Sequence, residues 1–189
     1  IEEFKTYGDS GCGAIICGES VLAGTQEIPG MNFDRHYKTD KDTYFGPSFG
    51  TKDGEIVGHG TETDPQMVLV KFDREGDKKD VLMVNWQAHS DSGSDGEIGR
   101  HNIAPSWTGH LRDKVEQETG LLVAYFTGAS GNLNKDSKIK SEAHGLLWDA
   151  YGTKMGELIV GSLDQLQPVG GTAIKVSKQM RVGLLLSSR

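Results

Sequence analysis

Two short polar stretches of this 189-residue chain hold residue types that can break or bind chemical bonds. The first is Gln87-Ala88-His89-Ser90-Asp91-Ser92-Gly93, and its imidazole is the candidate. A neutral imidazole can bind Zn²⁺ through one nitrogen while an acceptor holds the other, or it can serve as a general base. The plain alternative is a polar loop histidine. The second stretch is Thr127-Gly128-Ala129-Ser130-Gly131-Asn132-Leu133-Asn134. The backbone N–H groups of Gly128–Gly131 can form a nest for an oxyanion. Ser130 invites a nucleophile reading, but Gly128-Ala129-Ser130-Gly131 is not the G-x-S-x-G elbow, because the second glycine comes one residue early. A small residue in a tight turn is the plainer account of it.

Other candidates carry less. Asp91, Asp95, Gly96 and Glu97 faintly suggest a calcium loop, but Gly93 and Asn102 stand at the third and twelfth ligand positions, where an EF-hand needs oxygen donors and a bidentate Glu. Cys12 and Cys17 form a lone C-x4-C pair, with no second pair at ribbon spacing. Two small thiols, a short-loop disulfide and a metal pair all remain open there. His36, His59, His101 and His110 could add metal ligands only if the fold brings them to His89.

The elements that must position these groups can be read from hydrophobic pattern. Val81-Leu82-Met83-Val84-Asn85-Trp86 reads as a strand, apolar on both faces, which suits a central position. Met67–Phe72 precedes it as a strand, with a charged turn at Asp73–Asp80, so the two form an antiparallel hairpin. Ser106–Thr119 reads as a helix with Ser106 as N-cap, Trp107, Leu111 and Val115 along one face, and Gly120 just past its end. Leu121–Phe126 follows as a third buried strand. Strand, helix and strand make a βαβ unit with a parallel pair and a right-handed crossover. Both polar stretches then leave the same sheet edge, where α/β proteins bind ligands.

The rest of the chain is harder to read. Ser141–Leu163 is a second helix, with Leu147, Tyr151, Met155, Leu158 and Ser162 near one face, and Gly152, Gly156 and Gly161 either break it or pack it closely. Short strands are expected at Ala14–Cys17 and Val21–Ala23, and a half-exposed strand at Thr172–Val182. Residues 31–66 form a long irregular stretch, of the kind that often serves function. The expectation is one α/β domain over residues 1–189, a mixed β-sheet with a βαβ unit and flanking helices.

A net charge of −7 and the lack of any basic run argue against a nucleic-acid partner. No apolar stretch reaches the roughly 18 to 20 residues of a transmembrane helix. A soluble protein, secreted or periplasmic if a signal has been removed, fits these features, and neither compartment nor oligomeric state can be read.

The order and spacing of several segments resembles a known family. Asn32-Phe33-Asp34-Arg35-His36-Tyr37, Asp64-Pro65, Val84-Asn85-Trp86-Gln87-Ala88-His89, Asn102-Ile103-Ala104 through Gly109, and Phe126 through Asn134 are similar to segments of the N-terminal domain of neutral/alkaline, non-lysosomal ceramidases. Bacterial ceramidase-like relatives of unassigned substrate look closer still. The resemblance covers roughly residues 28–182. It implies a zinc-dependent amidase that cleaves the N-acyl bond of a lipid-like or other small substrate. It places His89 among the zinc ligands and Arg35 near the substrate. Gly128, Ser130, Gly131 and Asn132 then line the substrate, and Asn134 stands where the ceramidases carry a serine. The family's first zinc histidine comes from an upstream H-x-H segment, whereas residues 1–30 hold no histidine. Its Glu and Tyr ligands would fall beyond Arg189. The chain therefore reads as an incomplete piece of such a domain or a diverged one. The two functional expectations are a zinc hydrolase and a non-catalytic ligand-binding module or inactive fragment of the same fold.

Overall fold

The computed structural model describes residues 18–46, 50, 52–90, 104–135 and 145–170. Cys12, Cys17, the acidic residues of 91–97, His101 and the strand read at Thr172–Val182 lie outside them. The described residues form an α/β fold with a mixed sheet and two helices.

The sheet contains β1 (Gly18–Glu27), β6 (Gln66–Arg74), β7 (Val81–Trp86), β8 (Leu122–Thr127) and β10 (Gln167–Pro168), in the order β10-β1-β6-β7-β8. β6 and β7 pair antiparallel, as the hairpin reading required, and β7 and β8 pair parallel. Helix α1 (Ser106–Thr119) connects the parallel pair, which completes the βαβ unit. Leu82, Val84 and Trp86 of β7 and Met67 and Leu69 of β6 point into the core beneath the helices. Each such side chain contributes about 1.5–3 kcal/mol by leaving water.

β8 departs from the expectation of a fully buried strand. Val123 is buried, but Leu122 and Phe126 are exposed. Among the described residues the helices cover one face of the sheet, so the outward side chains of this edge strand meet solvent. β1 is also longer than the short run read at Val21–Ala23, since pairing with β6 extends through polar Thr25 and Gln26.

Helix α1 buries Trp107, Leu111 and Val115 and ends at Gly120, whose φ of 74° is the left-handed conformation that glycine adopts at low cost. Its start differs from expectation. Pro105 occupies the N-cap, and Ser106 sits inside the helix at φ 57° with a buried hydroxyl that bonds nothing.

Helix α2 (Trp148–Val160) begins later than Ser141; Tyr151 and Met155 of the expected face are buried, and the buried stripe is wider than expected. Trp148, Tyr151, Gly152, Met155, Gly156 and Ile159 are buried, whereas Leu147 is exposed. The reason is the glycine pair. A Cβ at Gly152 would collide with the Trp107 carbonyl, and one at Gly156 would lie 2.7 Å from the Lys114 Cβ. The glycines bring the two helix backbones together, and Tyr151 is carried into the centre. The Trp86 indole donates to the Tyr151 hydroxyl (3.2 Å), which donates to the Met31 carbonyl (2.6 Å). Burial pushes the Tyr151 phenol far above its ordinary pKa, so it stays a donor.

Residues 31–66, read as irregular, contain four short strands: β2 (Phe33–Asp34), β3 (Tyr37–Thr39), β4 (Tyr44–Phe45) and β5 (Ile56–His59). β3, β4 and β5 form a small sheet of order β4-β3-β5. β2 pairs with β9 (Leu133–Asn134).

An alanine in an exposed helix interior normally stabilises relative to glycine by about 1 kcal/mol. At Gly152 and Gly156 the sign should reverse. Gly152→Ala should lower unfolding free energy by about 1–3 kcal/mol through overpacking, measured by urea denaturation; an unchanged or raised midpoint would mean the helices are not in this contact.

Candidate functional site

The parallel register aligns Trp86 with Thr127, so β7 and β8 leave the sheet side by side. The Gly128 N–H then donates to the Trp86 carbonyl (3.0 Å). Any side chain at Gly128 would meet Gln87 Cγ at 3.0 Å and Asn85 Oδ1 at 3.3 Å, which is why a glycine stands there. The chain next turns back, with the Leu133 N–H donating to the Ser130 carbonyl (3.0 Å). Leu133 and Asn134 pair antiparallel with Asp34 and Phe33.

His89 sits against this turn. Its backbone N–H donates to the Leu133 carbonyl (3.0 Å), and its own carbonyl accepts the Trp107 indole N–H (2.8 Å). Its ring Nε2 lies 3.3 Å from the Gly131 carbonyl. A carbonyl only accepts, so Nε2 carries the proton in this bond, and Nδ1 is the ring nitrogen not engaged by it. Arg35 reaches the same turn from the other side. Its backbone N–H donates to the Asn132 carbonyl (2.9 Å), and its guanidinium Nη2 donates to the Gly131 carbonyl (3.2 Å). The Gly131 carbonyl thus accepts from both side chains. Arg35, His89, Gly128, Ser130, Gly131, Asn132 and Asn134, all singled out from sequence, gather around one turn.

Their individual arrangement narrows what they can do. The Gly128 N–H is already engaged, so it cannot belong to an anion nest. His89 bonds the Gly131 carbonyl instead of the Ser130 hydroxyl, and the nucleophile–base pairing that an activated serine needs is not formed here. The Asn134 side-chain oxygen accepts the Lys135 N–H (2.7 Å), which leaves its NH₂ group as the available donor.

Sequence reasoning passed over Asp34. It is 1% exposed and lies under the turn. Burial disfavours its charge, but the His36 N–H (3.0 Å), the Thr61 hydroxyl (2.8 Å), the Asn132 side chain and the nearby His36 ring together outweigh it. The carboxyl is held below its ordinary range. The signal in the sequence was an aspartate two residues before a backbone N–H it could cap, inside a stretch with no apolar period. A second polar link was also missed. Asn32 donates to the carbonyls of Asp64 (2.9 Å) and Gln87 (3.0 Å), and Gln87 donates to the Asp64 carboxylate (3.0 Å). These bonds tie the segment 31–66 to the end of β7. An open cavity of about 520 Å³ lies beside them, lined by Pro29, Asn32, Phe33, Asp34, His59 and Thr61 among others.

The remaining histidines do not join His89. His36 and His59 engage Asp34, His59 through a 2.6 Å contact of Nδ1 with the Asp34 carbonyl, and His110 packs on Trp148 at a ring separation of 4.6 Å. Among the described residues no three His, Cys, Asp or Glu side chains converge to hold a metal. A complete zinc shell, which takes about three protein ligands, is not present among the described residues.

No family model matches the sequence, and no curated protein matches it. Among solved structures the chain is similar to neutral ceramidase from Pseudomonas aeruginosa, at 19% sequence identity and a TM-score of 0.47, over 75% of this chain and 22% of that one. It is also similar to a ceramidase complexed with C2, at 15% identity and a TM-score of 0.45, over the same shares of each chain. The chain therefore spans 22% of the length of either structure.

A carboxyl whose folded pKa lies below its unfolded value adds stability above the unfolded pKa, and that stability is lost as the pH falls through the folded one. Asp34→Asn should cost about 1–3 kcal/mol at pH 7 through its broken hydrogen bonds. The gap between variant and wild type in urea melts should narrow as the pH drops below about 4. A gap that stays constant down to pH 2 would show that Asp34 is not a charged acceptor.

Proposed function

We propose that this chain forms part of a hydrolase domain of the neutral-ceramidase type, acting on an amide (N-acyl) bond of a lipid-like or other small substrate at the turn Gly128–Asn134. The observation that supports it most is the shared Gly131 carbonyl, which accepts from both Arg35 and His89. These two residues come from segments far apart in sequence that the family resemblance assigns to one site.

Zinc is the metal the reading requires, with His89 as one ligand. The bond from Nε2 to the Gly131 carbonyl is the kind of outer contact that orients a metal-binding imidazole, and it leaves Nδ1 for the ion. Catalytic zinc needs about three protein ligands, so the other ligands must come from residues not described here. When bound, zinc lowers the pKa of a coordinated water towards 7 and polarises a carbonyl.

The residues of this chain then have separable tasks. The Arg35 guanidinium spends one donor on Gly131 and keeps others for a substrate carbonyl or hydroxyl. Asn134 has neither a nucleophilic oxygen nor a useful pKa, so in this reading its NH₂ group holds substrate. The short turn and the buried Asp34 keep these donors in place. The net charge of −7 argues against nucleic acid as substrate, and no helix among the described residues is long and apolar enough to cross a membrane.

A second reading is a binding module of the same fold without catalysis, favoured by the lack of a three-ligand cluster among the described residues. Metal analysis separates the two. Purified protein with zinc near one equivalent, lost in His89→Ala, supports the hydrolase; no zinc even after incubation with excess removes it. Arg35→Ala should keep the zinc and lower hydrolysis of an N-acyl substrate about 10²-fold. Unchanged turnover would place the substrate elsewhere.

A further inference from the structure

Helix α1 starts at the sheet edge beside His89, held there by the Trp107 indole bond to the His89 carbonyl. The first N–H groups of any α-helix lack intrahelical acceptors, and the helix dipole adds a partial positive charge at that end. Most soluble helices satisfy this end with a capping side chain or an acidic residue in the first turn. Helix α1 has neither among the described residues: its N-cap is Pro105, which makes no side-chain cap bond, and its first turn holds no Asp or Glu. Its first intrahelical bond runs from the Gly109 N–H to the Pro105 carbonyl (3.1 Å), so the N–H groups before Gly109 lie ahead of the ladder.

A second observation concerns Ser106, at that same end. The residue is 6% exposed, and its hydroxyl oxygen is buried with no hydrogen-bond partner. A buried hydroxyl left unsatisfied is costly, and native proteins rarely keep one without a reason. Uncapped N–H groups and an unpartnered O–H are all donors, and donors without acceptors at a positive helix end suit an anion.

We propose that the N-terminus of helix α1 binds a small oxyanion, a carboxylate or a phosphate, through the Ser106 hydroxyl and the first-turn N–H groups. The site neighbours His89 but does not rest on the hydrolase reading, and it asks nothing of zinc.

The positive φ of Ser106 provides a control. Glycine at 106 removes the hydroxyl while relieving the left-handed strain, so Ser106→Gly should fold at least as well as the wild type. Thermal melting of the whole chain would be followed while inorganic phosphate or acetate is titrated at constant ionic strength set with sodium chloride. The wild type should show a saturable rise in Tm with at least one of the two anions, and the responding anion identifies the ligand class. In Ser106→Ala and Ser106→Gly that anion should bind about tenfold more weakly. No saturable response to either anion in the wild type, or an undiminished response in Ser106→Gly, would overturn the proposal. The zinc content of the protein tests the hydrolase reading separately.

Discussion

Parallel pairing of β7 with β8 obliges both strands to leave the sheet at the same edge, and the bond from Gly128 to Trp86 extends that ladder past its last strand residue. Antiparallel strands would have sent the two polar segments to opposite edges. With the exits aligned, the turn after β8 can fold back over the end of β7, and the Leu133 carbonyl is placed to take the His89 N–H. Two further layers depend on the same geometry. The β2–β9 ladder delivers Arg35 to the turn, and helix α1 delivers the Trp107 indole to the His89 carbonyl. The imidazole is therefore fixed through its main chain on both sides before its ring makes any contact.

The core beneath obeys a different rule. Trp86, Trp107 and Tyr151 meet as large rings, with Trp107 set edge-on to Tyr151 at a centroid distance of 5.1 Å. Such a cluster leaves the polar tips of its members to be satisfied. Tyr151 does this by receiving from Trp86 and giving to Met31, so one hydroxyl anchors the start of the segment 31–66 from below. The site above and the core below are thus joined through backbone carbonyls.

How much of this could be read in advance follows from which force sets each element. β7, β6 and helix α1 are set by apolar burial, and apolar burial writes a period into the sequence; their bounds were close to those found. Segment 31–66 buries only scattered rings such as Phe33, Tyr37 and Phe45 and is tied down by hydrogen bonds among Asn32, Asp34, Thr61, Thr63, Asp64 and Gln87, which leave no period from which its short strands could be read. Helix α2 misled for another reason. Tyr151 and Met155 mark its buried face by apolar pattern, but Gly152 and Gly156 share that face without an apolar side chain to show it, and Leu147 falls at the N-cap, where it is exposed. Ser106 has the usual identity of a cap and yet lies one position too late, because Pro105 takes the boundary. Arg35, His89 and the Gly128–Asn134 turn are picked out by strand ends and family resemblance, whereas Asp34 is not, since a buried carboxylate is recognisable only from its donors.

The β2–β9 ladder is two residues long and joins Phe33 to Asn134, on opposite sides of the sequence. Closing so distant a pair is entropically slow, whereas the β6–β7 hairpin and the βαβ unit are assembled from neighbours along the chain. The hairpin and the βαβ unit therefore close over shorter loops than either the β2–β9 clamp or the β1–β10 pair. In a native protein opening free energies rise from peripheral segments to the core strands, and a ladder of two residue pairs has few backbone bonds to break. Fraying of this ladder alone would part Arg35 from the turn while the five-stranded sheet stays whole, so the molecule can lose its working geometry without losing its shape.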